Sequence, residues 1–113
     1  MQALLINSAQ EVARMLDADH LKVPSLEELA KTVGVSPFQL SRSFHQHHGV
    51  TIPGYVRRLR MNRAAELLSS TNLSVTEIAL EVGYQSLSAF VRGFQREQGR
   101  VPTRYRAEMR AKA

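Results

Sequence analysis

Val75-x-x-Ile78-Ala79-x-x-Val82-Gly83, followed by Ser86-x3-Phe90-x-Arg92-x-Phe94-x4-Gly99-x5-Tyr105, is the stretch that decides the fold, because the chain has already said the same thing once. Leu26-x-x-Leu29-Ala30-x-x-Val33-Gly34 and Ser36-x3-Leu40-x-Arg42-x-Phe44-x4-Gly49-x5-Tyr55 repeat it at an offset of 49 residues in the first half and 50 in the second. The change of offset is one extra residue in the turn, Tyr84-Gln85 against Val35. Each copy is two short helical patterns joined by a glycine turn, the outline of a helix-turn-helix. An internal duplication sets architecture before any single motif is weighed.

Working outward, every segment has a helical period and none alternates like a half-buried strand. Ser8 or Asn7 is expected to cap a first helix with Val12, Met15 and Leu16 on one face, fading near Asp19 and His20. Ser25, with Glu28 three residues on, opens a second, and Gly34 closes it. Ser36 before Pro37 opens a third, running to about His47 and stopped by Gly49. A long fourth helix begins near Ile52 and Pro53 and reaches about Ser69, at ~1.5 Å of rise per residue. Ser74 with Glu77 opens the fifth, which Gly83 closes, and Ser86 opens the sixth, which Gly99 closes. Pro102 starts a short last helix through Tyr105, and Ala111–Ala113 reads as a frayed tail. The expectation is an all-α fold of about seven helices: two helix-turn-helix subdomains, 8–50 and 71–110, joined by a bridging helix over 51–70, all within one domain of residues 1–113.

Composition narrows the function. With 113 residues and 43% hydrophobic content, the chain can fold without cross-links. The absence of cysteine excludes disulfides, thiolate metal sites and cysteine nucleophiles, and fits a reducing cytoplasm. No apolar run approaches the ~20 residues needed to span a bilayer, and Met1–Ile6 is too short for a secretion signal. The expected location is cytoplasmic, away from any membrane. The net charge is +5, and twelve of the fifteen basic residues are arginine. Between Glu28 and Glu66 there is no acidic residue, while Lys31, Arg42, Arg57, Arg58, Arg60 and Arg63 all fall there. The planar guanidinium suits bidentate contact with phosphate or a guanine edge. A basic excess alone is as well explained by a solvated surface; combined with the repeat, it points to a polyanion.

At 100° per residue, Leu40, Ser43 and Phe44 share one side of the third helix, and Phe38, Arg42, His45 and Gln46 the other. Leu40 and Phe44 are expected in the core. The opposite face carries an arginine, an aromatic and hydrogen-bonding groups, which suits the donors, acceptors and thymine methyls of a major groove. The sixth helix repeats the arrangement, with Phe90 and Phe94 inward and Ser88, Arg92, Gln95 and Arg96 outward, flanked by Leu87 and Val91. One exposed arginine on such a helix is ordinarily just solvated; the equivalence of Arg42 and Arg92 across a repeat argues otherwise.

The second copy, continued through Pro102-x2-Tyr105-Arg106 and preceded by Leu59-Arg60-x3-Ala64-x2-Leu67-Leu68, resembles the signature of the AraC/XylS class of bacterial transcription regulators. The resemblance covers about residues 8–107. It implies two helix-turn-helix subdomains bridged by a long helix, with both recognition helices in successive major-groove segments of double-stranded promoter DNA. Carried over by position, it makes Phe38, Gln39, Ser41 and Arg42, and Leu87, Ser88, Val91 and Arg92, base-facing. The first unit is normally the more variable, and Leu87 and Val91 offer only apolar contacts where some relatives present polar ones. Specificity would then rest more on the first recognition helix. Arg60 matches the family's recurrent linker arginine and is expected to be structural, pairing with an acidic residue or a carbonyl between the lobes. Arg57 and Arg58, with Gln95, Arg96, Arg100 and Arg104, are the expected phosphate contacts. The resemblance also leads us to expect the C-terminal domain of a longer effector-responsive regulator. This domain would be monomeric by itself, able to dimerise through a domain outside this chain, and would contact RNA polymerase if the protein is an activator.

Other features read as structural. His45, His47 and His48 lie close together, but no fourth ligand accompanies them, so ordinary surface or backbone-facing histidines are expected rather than a metal site. Tyr55 and Tyr105, equivalent in the repeat, are expected in the core with their hydroxyls at its edge. No nucleophile–base pair, glycine-rich phosphate cradle or acidic metal site is visible. The DNA-repair alkyltransferases that carry a similar module use cysteine, which this chain lacks, so neither an enzyme nor a cofactor is expected. The competing reading is a helix-turn-helix adaptor that binds a protein partner without DNA.

Overall fold

The computed structural model describes residues 2–113, and those residues form seven α-helices and no strand. They are α1 (Gln2–Ala18), α2 (Leu26–Val33), α3 (Pro37–His48), α4 (Ile52–Ser70), α5 (Val75–Glu81), α6 (Leu87–Gln98) and α7 (Pro102–Lys112). The chain divides into two compact units, Met1–Val56 and Arg57–Ala113, so that α4 contributes its first turn to one and the remainder to the other. None of the described helices is long and apolar enough to cross a membrane.

In the first unit, α1 and α2 pack on α3. Val12 and Leu16 of α1, Leu29 and Ala30 of α2, and Leu40 and Phe44 of α3 are buried. Burying each large side chain contributes ~1.5–3 kcal/mol. Tyr55, on the first turn of α4, meets the Phe44 ring edge-on with centroids 5.4 Å apart. Its hydroxyl donates to Asp17 at 2.7 Å. Beyond α1, the amides of Leu21 and Lys22 donate to Asp19 and hold its carboxyl below the usual carboxylate range.

The first helix corrects the sequence expectation. It begins at Gln2, so Ser8 is not a cap. Ser8 is buried mid-helix, its hydroxyl returned to the carbonyl of Leu4 at 2.8 Å in the i−4 pattern open to serine inside a helix. The earlier turns have a tertiary partner instead: Ser43 of α3 donates to the carbonyl of Leu5 at 2.7 Å. Ser25 and Glu28 do form the expected reciprocal cap of α2. Gly34 ends that helix at φ 78°, the left-handed conformation that side chains disfavour.

The second unit buries Met61, Ala64, Leu67 and Leu68 of α4 with Ile78, Ala79, Val82, Phe90 and Phe94. Tyr84 and Tyr105 pack against this cluster. The amide of Tyr84 donates to Ala79 as that of Val35 donates to Ala30, which identifies Gln85 as the inserted turn residue. Gly93 takes the place that Ser43 holds in the first copy. A Cβ there would lie 2.7 Å from Cε of Met61, so a side chain at position 93 would require the end of Met61 to shift. The fifth helix ends at Glu81, with Val82 as its cap residue and Gly83 beyond it at φ 90°.

The last helix also departs from expectation. It runs eleven residues to Lys112 instead of stopping at Tyr105, and the supposed tail from Ala111 is helical up to its final residue. Its length follows from docking. Arg106 donates to the carbonyls of Leu68, Thr71 and Leu73, and Arg110 to Thr71 and to the side chain of Asn72.

Candidate nucleic-acid interface

The exposed face of α3 is set by its first turn. Ser36 accepts from the amide of Gln39 at 3.1 Å, while its own amide donates to Gln39 Oε1, also at 3.1 Å. Pro37 follows at the first helical position, where no amide is needed. With Leu40, Ser43 and Phe44 held inside, Phe38, Ser41 and Arg42 are left facing out, and Phe38 is 71% exposed. These three line one shallow groove with His45, Gln46 and Thr51. Gln39 is half-buried and its side-chain carbonyl accepts the cap bond, which leaves its amide nitrogen uncommitted.

The sixth helix is built on similar lines, with a one-way serine cap and no proline. Ser86 caps α6 through the amide of Ala89, and Phe90, Gly93 and Phe94 are buried. Ser88, Arg92, Gln95 and Arg96 are exposed, and Leu87 is 46% exposed. Val91 differs from its neighbours: it is partly buried against the core cluster and presents only one edge outward.

The arginines fall into two groups. Arg14 pairs with Glu11 and Arg63 with Glu66. Arg106 and Arg110 are bound to carbonyls around the α4–α5 connection. Arg100 and Arg104, both expected to grip phosphate, share Glu108. Arg100 is the more committed, since it also donates to the carbonyl of Gln98 at 2.9 Å and lies 4.9 Å from the Tyr105 ring centroid. Its Nε comes within 2.8 Å of Glu108 without the alignment of a hydrogen bond, so that contact is an ion pair. Arg104 is 73% exposed, and a pair so solvated holds it weakly. By contrast, Arg42, Arg57, Arg58, Arg92 and Arg96 have no carboxylate or carbonyl partner among the described residues. Arg57 is half-buried and the other four are exposed. Guanidinium groups left without internal partners, one on the first unit and four on the second, suit contact with a polyanion.

His45 and Gln46, which the helical period places on the outer face of α3 but which were not among the expected DNA contacts, line the same groove. The repeat carries the signal for a contact role, since they are the counterparts of Gln95 and Arg96. The remaining histidine of interest turns inward: His48 Nε2 donates to the carbonyl of Ala9 at 3.2 Å, and its ring lies 4.4 Å from that of Phe44.

Comparison with known proteins gives this geometry a context. The sequence pattern of a family described as a helix-turn-helix domain matches residues 29–108. The regulatory protein SoxS of Salmonella typhimurium is 35% identical over 89 residues, which cover 78% of this chain and 83% of that protein. A transcriptional regulator of Chromobacterium violaceum, described as containing an AraC-type DNA-binding domain, superposes with a TM-score of 0.83 at 31% identity, covering 91% of this chain and 92% of its own. The DNA-binding domain of AdpA, solved in complex with a target DNA, gives a TM-score of 0.81 at 28% identity over 92% of this chain and 94% of its own. Several other curated relatives are longer, and the chain spans 45%, 28% and 61% of three of them.

Proposed function

The chain belongs to the AraC/XylS family of helix-turn-helix domains, and from that membership we propose that it binds double-stranded promoter DNA sequence-specifically and regulates transcription. The observation that carries this reading is the sorting of the arginines. The two exposed helix faces hold Arg42 and Arg92 at repeat-equivalent positions with no internal partner, while the arginines that hold the fold together lie elsewhere.

In this reading α3 and α6 each present a face to a major-groove segment. Arg42 is the principal base reader, meeting guanine O6 and N7 together, with Phe38 and Ser41 beside it. Gln39 contributes through its uncommitted amide nitrogen. Arg92 and Ser88 read from α6, with Leu87 and the outer edge of Val91 suited to thymine methyls. Arg57, Arg58, Gln95 and Arg96 grip phosphate, and Arg104 joins them by releasing Glu108. Arg100 is assigned to the fold. The lobes are those of the repeat, about 8–50 and 71–110, with 51–70 between them. In the whole protein this domain is C-terminal to an effector-responsive part, and an activator would also touch RNA polymerase.

Selection from random duplex DNA tests the proposal. The recovered sites should share an asymmetric consensus, because the two recognition faces carry different side chains. Recovery of no consensus at all would contradict sequence-specific reading.

A further inference from the structure

We propose that His45 is a further DNA-phosphate contact of the first unit, one whose strength follows the protonation of its imidazole; this rests on the DNA-binding reading above.

His45 is exposed in the last turn of α3 and lines the same groove as Phe38, Ser41 and Arg42. It is therefore on the face that would meet DNA, one turn beyond the arginine proposed to read it. The repeat supports the placement independently. His45 and Gln46 correspond to Gln95 and Arg96, so each recognition helix ends with one amide and one group able to carry positive charge. On α6 that charge is permanent, and on α3 it is titratable, because histidine is the side chain whose charge ordinarily changes between about pH 5 and 8.

The surroundings leave that proton to an external anion. On α3, Arg42 is the other charged residue of the groove, and Thr51 faces it from the α3–α4 connection. His47 is exposed and meets the ring of His48 edge-on, and His48 is tied to Ala9 of α1. The carboxylates of the unit are placed elsewhere: Glu11 with Arg14, Asp17 with Tyr55, Asp19 on the amides of Leu21 and Lys22, and Glu28 on Ser25. Glu27 is exposed in the first turn of α2, and Lys31 in its last. No carboxylate pairs with His45 among the described residues. A DNA phosphate would thus be the group that favours its charged form, and binding would take up a proton. Affinity then rises as pH falls.

The test is binding of the whole chain to a selected duplex and to its scrambled counterpart at pH 7.5 and 5.5, each over a range of salt. The wild type should bind both duplexes about three- to tenfold more tightly at pH 5.5, with the salt slope steeper by about 0.9. His45→Gln should fold as the wild type, still bind both duplexes and lose the pH response. His45→Lys should bind at pH 7.5 as the wild type does at 5.5. His47→Gln should leave the response unchanged. Binding to DNA with an unaltered pH response in His45→Gln, or none in the wild type, would overturn the role of His45 while leaving the DNA-binding reading intact. Failure to bind either duplex at both pH values would overturn the two together.

Discussion

Arg106 donates through Nη2 to the carbonyl of Leu73 at 2.6 Å, so a side chain of α7 closes the connection between α4 and α5. The same nitrogen reaches Thr71 at 3.3 Å, and Nε reaches Leu68 at 3.1 Å. Carbonyls at a helix end have no intrahelical donor, and here one guanidinium supplies several. The second unit is thereby pinned at the loop that leads into its helix-turn-helix.

Arg106→Ala should lower stability by about 1.5–3 kcal/mol, the range for hydrogen bonds to a charged group. Arg106→Lys should recover little, because a lysine ammonium does not reproduce the planar fork. Denaturant midpoints of the three proteins check this, and near-equal midpoints would show the contacts to be idle.

Arg100 and Arg96 lie four residues apart and should separate cleanly. Arg100→Ala removes the contacts to Glu108, the Gln98 carbonyl and the Tyr105 face, and should cost about 1 kcal/mol of stability after allowing for solvent screening. Arg96→Ala should change stability by less than about 0.5 kcal/mol, as for an exposed site, yet weaken DNA binding. Thermal melts and a DNA titration of both variants give the comparison.

Much of this arrangement was legible in the sequence because a repeat compares the chain with itself. The buried pairs Leu40 with Phe44 and Phe90 with Phe94 follow from helical period alone. So does the outward placement of Arg42 and Arg92. What escaped reading depends on tertiary partners. Nothing near Gln2 marks a helix start, since Ser43 stabilises that turn from 38 residues away. Nothing local distinguishes Arg100 from Arg96, and only the position of Glu108 on α7 decides between them. Gln39 stands at the third helical position after Ser36, the spacing of a reciprocal cap, so its commitment is one that sequence spacing can show.

Gln39→Ala should cost about 0.5–1 kcal/mol of stability, as for loss of a cap partner. Gln39→Glu, which keeps the acceptor, should restore it. If Gln39→Ala melts as the wild type does, the reciprocal cap with Ser36 is energetically unimportant.

Arg42 and Arg57 separate reading from gripping. Arg42→Ala should lose about 1–3 kcal/mol of preference for the selected site over scrambled DNA. Arg57→Ala should weaken both by a similar factor and make the salt slope shallower by about one unit. Equal losses on the two duplexes for Arg42→Ala would move base reading to Phe38 and Ser41.

The central claim is that guanidinium groups left without internal partners meet a polyanion, and the salt dependence of DNA affinity tests it most directly. With Arg57, Arg58 and Arg96 on phosphates, and Arg42 and Arg92 close to others, the slope of log K against log salt should fall between about −3 and −5 for duplex DNA. A slope near zero would contradict it.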